Sequence, residues 1–139
     1  MSQPGQSNGL RSFGAVLAGV VAIFILSIAT DVVFHAVGVF PPLGQPFSDK
    51  LCLLATAYRI VYGVAGGAIT ARLAPGKPMQ HALALGLVGV VLASVGAIAT
   101  WNRGPAFGPH WYPVTLIVIS VPCAWLGGKL VRNHAAAAR

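Results

Sequence analysis

Residues 13–39 read FGAVLAGVVAIFILSIATDVVFHAVGV, a run whose only acidic or basic residue besides His35 is Asp31. It exceeds the roughly 20 helical residues needed to cross a hydrocarbon core of about 30 Å. It lacks the period-2 alternation of a barrel strand, and in lipid a backbone outside a barrel satisfies its own polar groups only as a helix. Three further apolar runs, at about 51–73, 81–100 and 112–131, repeat the pattern. Together they predict an all-α integral membrane protein, a four-transmembrane-helix bundle. Residues 1–12, rich in Gly, Ser and Gln, read as a disordered tail, and 133–139 as a second, C-terminal tail.

Composition agrees, with 56% apolar and 8% charged residues setting the chain outside the range of soluble domains. In a soluble protein the net charge of +7 would suggest nucleic acid. Here the basic residues flank apolar spans, so they point to anionic lipid headgroups and not to nucleic acid. The connections carry turn residues, Phe40-Pro41-Pro42-Leu43-Gly44, Ala74-Pro75-Gly76-Lys77-Pro78 and Asn102-Arg103-Gly104-Pro105. Such short links make two antiparallel hairpins. Arg11, Arg72, Lys77, Lys129, Arg132 and Arg139 fall on one side of that arrangement, and only Lys50 and Arg103 on the other. The positive-inside rule therefore places both termini in the cytoplasm, and compactness suggests a bacterial inner membrane. Phe40, Trp101, Trp111 and Tyr112 form an aromatic belt on the far side. A leader cleaved after Ser27-Ile28-Ala29 is the rival reading, but the apolar run continues well past that site.

Polar residues inside the spans carry the functional signal, because each costs free energy where it sits. Asp31 and Arg59 are the acidic and basic side chains well inside the runs, where a charge costs about 2.5 to 3.5 kcal/mol on insertion scales. Both fall about 12 Å below the outer interface by helical rise, so an antiparallel hairpin sets them level and able to pair. His35 lies one turn from Asp31, and Thr56 and Tyr62 one turn either side of Arg59, with Thr30 and Tyr58 nearby. Two readings follow: a structural clamp that fixes helix register, or a site for a proton, an anion or a polar headgroup.

Small residues recur at packing intervals, Gly63 with Gly67, and Gly86, Gly89, Ala93 and Gly96 along helix 3. In lipid such positions let helices approach closely. Pro122 falls within helix 4 and predicts a bend, since it leaves the carbonyl four residues back unpaired. Gly19-Val20-Val21 and Ile28-Ala29-Thr30 recur as Gly89-Val90-Val91 and Ile98-Ala99-Thr100, a hint of two parallel repeats. Cys52 and Cys123 lack metal-ligand or dithiol spacing and lie too far apart in depth to bridge. A haem or metal shared by His35, His110, Asp31 and Cys52 would need several independent placements, so no metal and no cofactor is expected.

No nucleophile and base pair, paired carboxylates or ligand motif points to catalysis. Small multidrug exporters match in length and helix count, but they depend on an intramembrane glutamate and this chain contains none. The sequence thus suggests a non-enzymatic accessory or interaction subunit, partnered by the bilayer and by another membrane protein or further copies of itself. The alternative is a small transporter or channel using the Asp31, His35 and Arg59 cluster.

Overall fold

The computed structural model describes residues 4–139, with side chains from Asn8 onward. Four α-helices follow one another: α1 (Pro4–Ala36), α2 (Asp49–Leu73), α3 (Pro78–Thr100) and α4 (Trp111–Ala137). A single 3-10 turn at Pro105–Phe107 interrupts the last connection. No strand occurs among the described residues. All four helices are long and apolar enough to cross a membrane. Even α3, the shortest at 23 residues, extends about 35 Å.

The helix ends differ from those the apolar runs suggest, for local reasons. Pro4–Ser12 belong to α1, and only Met1–Gln3 of the expected tail lie outside the described residues. Extending an existing helix gains one hydrogen bond per residue fixed, so polar residues continue what the apolar run starts. The same holds for the expected C-terminal tail, which is helical through Ala137 and contains alanine, the best helix former. At its other end α1 stops at Ala36 and not Val39. Gly38 there adopts φ +77°, and the Phe40 amide turns back to donate to the Phe34 carbonyl at 2.9 Å. Ser48 opens α2 by accepting from the Leu51 amide, and Pro78 stands at the first turn of α3, where its missing N–H costs nothing.

Glycine sets how the helices meet. On α1 and α2, Gly19 faces Gly66 and Thr70, while Thr30 and Asp31 face Tyr62 and Arg59, so contacts run in opposite chain order. On α3 and α4 the order is again opposite, with Ala82 against Gly128, Gly86 against Ala124 and Gly89 against Ser120. Helices α2 and α4 cross in the same order, Gly63 at Cys123 and Gly67 at Ala124, with Gly127 against Ala68. A methyl on Gly67 would lie 2.5 Å from the Ala124 carbonyl oxygen, so this crossing is backbone on backbone. α1 packs on α2 and reaches α3 near Gly19 and Leu85, leaving a gap between α1 and the α3–α4 pair further along. At matching places in the two suggested repeats, Gly19 meets Gly66 and Thr70 of α2, and Gly89 meets Ser120 of α4.

Pro122 lies inside α4, which continues through it as helix. Cys52 and Cys123 are free thiols, both buried.

Candidate functional site

Asp31 and Arg59 sit on facing turns of α1 and α2 and form an ion pair, Nη2 to Oδ2, at 2.7 Å. Each is partly exposed, Arg59 at 23% and Asp31 at 31% of the side chain. The other carboxylate oxygen accepts from the Tyr58 hydroxyl. Arg59 Nη1 donates to Tyr58 at 3.2 Å and to the Tyr112 hydroxyl from α4. The guanidinium also lies 5.2 Å from the Tyr58 ring centre and 5.9 Å from that of Tyr112, a distance at which the ring quadrupole attracts the cation. One cation, one anion and two phenols thus bring three helices together with no net charge.

The remaining candidates occupy distinct places. Tyr62 pairs with Thr30 at 2.7 Å, one helical turn from the ion pair, and Thr30 also donates to the Leu26 carbonyl. Thr56 returns its hydroxyl to the Cys52 carbonyl and contributes only to its own helix. His35 shares a helix face with Asp31 but has no hydrogen bond to it, and its ring stands edge-on to Phe40 with centres 5.4 Å apart. His110 stacks on Trp101, ring centres 4.3 Å apart, and its Nε2 lies 2.9 Å from the Trp101 carbonyl. No group of three metal-ligating side chains occurs among the described residues.

Two cavities flank the pair, and Asp31, Arg59, Phe107 and Tyr112 line both. The smaller, about 160 Å³, lies under the connections and is walled by His35, Phe40 and Phe47. Phe40 is 3% exposed and packs edge-on against Phe34, His35 and Phe47. The Phe47 amide donates to the Pro105 carbonyl at 2.9 Å, and Trp111 Nε1 donates to Asp49 at 2.8 Å, so the two connections are tied together above the pair. Gly108, at φ +82°, crosses directly over the buried Cys52, where any Cβ would lie 2.8 Å from the sulfur. The two connections thus meet over this end of the bundle.

The larger cavity, about 520 Å³, fills the gap between α1 and the α3–α4 pair, with Arg59 and Gly63 of α2 at its back. Its depth is formed by buried Leu85, Ala97, Cys123 and Ala124. Its rim is formed by Phe24, Ile28 and Leu92, exposed at 50%, 57% and 41%, so the mouth opens on the apolar flank of the helices. Of the glycines at packing intervals, Gly63, Gly67, Gly86 and Gly89 touch a neighbouring helix. Gly96 has nothing within 4 Å of where a Cβ would sit and lines this cavity instead.

Sequence reasoning did not place Tyr112 in the cluster, and treated it only as part of the aromatic belt. Its signal was its position in the first turn of α4, at the end of the bundle where the connections converge. The chain matches no protein-family profile, no curated protein and no solved structure, so its function is read from this geometry alone.

Proposed function

We propose that the chain is a multi-pass membrane protein that acts by binding and not by catalysis, holding an amphiphilic molecule of the bilayer in the cavity between α1 and the α3–α4 pair. The two antiparallel hairpins lie in the membrane with both termini in the cytoplasm, as the excess of Arg and Lys at that end supports. We place it in a bacterial inner membrane on its short connections and compact size. One observation carries the reading: an apolar cavity of ligand size, about 520 Å³, ends at the chain's Asp31–Arg59 pair. A clamp needs the pair but not the cavity beside it. Because the rim of the larger cavity at Phe24, Ile28 and Leu92 lies on the exposed apolar flank, the ligand enters sideways from lipid. Binding of this kind suits an interaction component of the membrane that presents or retains a lipid-soluble molecule. Transport across the bilayer is the second reading, favoured by the smaller cavity on the far side of the same pair.

Native mass spectrometry of the protein extracted gently from its own membrane tests this. Wild type is expected to carry a small amphiphile that Gly96→Leu, which places a branched side chain at the cavity wall, loses. Wild type carrying only protein partners, with Gly96→Leu unchanged, would make it an accessory subunit whose cavity is a packing gap. Flux through vesicles that disappears in Asp31→Asn would favour the transporter.

A further inference from the structure

Within the binding reading, the donors left unused at the cavity's polar end narrow the ligand class. Asp31 has both oxygens engaged, one by Arg59 and one by Tyr58. Arg59 spends its charge on Asp31, so no net charge faces the cavity. The cluster still offers donors, and although each Asp31 oxygen keeps a second lone pair, the guanidinium held against that carboxylate repels a cation there. Tyr112 accepts from Arg59 and keeps its own hydroxyl proton to give, and a guanidinium has five N–H groups, more than the three bonds made here. An anionic head would have to compete with Asp31 for Arg59, and a cationic head would meet Arg59 itself. Either ion would also lose its water in a site flanked by Phe107, Pro113 and Leu116, with only imperfect compensation.

We propose that the cavity takes a single-chain amphiphile whose head is an uncharged hydrogen-bond acceptor, a carbonyl of ester or ketone type. The carbonyl oxygen accepts from the Tyr112 hydroxyl and from a spare Arg59 N–H. The apolar body lies along Ile23, Ser27 and Ala97 between α1 and α3, and leaves through the rim at Phe24 and Leu92. Asp31 acts as a positioning residue. It cancels the charge of Arg59, and that cancellation selects a neutral head over an acid.

Three probes with the same dodecyl chain length test the assignment: methyl dodecanoate, sodium dodecanoate and dodecylammonium chloride. They are titrated at neutral pH into full-length protein in nonionic micelles, and bound mass and the unfolding midpoint are read for wild type, Tyr112→Phe and Asp31→Asn. The ester is expected to bind wild type about tenfold or more tighter than either ion. Tyr112→Phe lowers ester affinity about tenfold while the ion pair and the fold persist. Asp31→Asn frees Arg59 and turns the preference toward dodecanoate. Wild type preferring dodecanoate, or Tyr112→Phe binding the ester as wild type does, overturns the head-group assignment and leaves the cavity reading standing. If none of the three binds wild type, both fall. Should Asp31→Asn fail to fold, Tyr112→Phe decides the matter, since it removes one hydroxyl and no charge.

Discussion

The two ends of the bundle are built on opposite principles. At Gly67 and Gly127 helices α2 and α4 meet backbone on backbone, at Gly19 and Gly66 the missing Cβ makes room for the side chains of Thr70 and Ile23, and the Thr70 hydroxyl is buried there without a partner among the described residues. Around Asp31, Arg59 and Tyr112 long side chains bridge helices that stand apart, and cavities of about 520 and 160 Å³ lie on either side. In the bilayer proposed for these helices, tails as apolar as leucine leave little hydrophobic drive for association, and close backbone approach takes its place. The glycine end holds the bundle together. That frees the other end to leave space, which a protein held only by side-chain packing would have to fill.

The largest effect expected from breaking this contrast is at Gly127. A side chain there would run into the backbone of Val64 to Ala68, with the Ala68 nitrogen 2.6 Å from the new Cβ, and backbone cannot rotate away. Gly127→Leu should destabilise by about 3 kcal/mol or more, read as loss of a cooperative thermal transition in micelles. Phe40→Ala comes next, at about 3 kcal/mol for a buried aromatic, and it enlarges the small cavity that Phe40 walls. Faster hydrogen exchange at the Phe47 amide, whose bond to Pro105 closes the connections, is the accompanying readout. If Phe40→Ala left that amide protected, the joining of the two connections would owe nothing to the aromatic cluster.

Asp31→Asn should have a smaller effect, about 1 to 2 kcal/mol. Removing one partner of a fully buried pair costs more, but both side chains here keep a quarter or so of their exposure, which weakens the loss. Combining it with Arg59→Gln should recover part of the stability, because the uncompensated cation goes too. Thermal midpoints of the two single variants and the double variant measure this. A double variant no better than Asp31→Asn would mean that Arg59 is satisfied by Tyr58, Tyr112 and water alone.

The same contrast explains what was legible in the sequence. The four long apolar helices follow from composition, because a run of that length and hydropathy has the helix as its available structure in lipid. The Asp31–Arg59 pair follows from insertion cost plus depth, and it forms at 2.7 Å. His35 shows where that reasoning stops: helical spacing puts it beside Asp31, yet rotamer choice and the fold of the connection give its ring to Phe40. Tyr112 was hidden for the complementary reason, since its contact depends on how α4 crosses α2. The cavity depends on how far α1 diverges from α3, a quantity carried by no single residue. Gly96 illustrates it, sharing its spacing with Gly86 and Gly89 and not their contacts.

That glycine supplies the smallest expected effect on stability and the sharpest separation of the two ends. At Gly127 a leucine meets backbone; at Gly96 it meets open space, and it gains roughly 0.8 kcal/mol of helix propensity over glycine. Gly96→Leu should therefore unfold no earlier than wild type. Its side chain nevertheless projects into the cavity between Ala93 and Thr100 and takes up room that a ligand's apolar body would need. Retained thermal midpoint with lost uptake of methyl dodecanoate would show that the space is held open for an occupant. A midpoint lowered as far as in Gly127→Leu would mean that both ends are packing surfaces and that the gap closes in the bilayer. An unchanged midpoint with unchanged uptake would put the ligand elsewhere and leave the Asp31–Arg59 pair as a clamp.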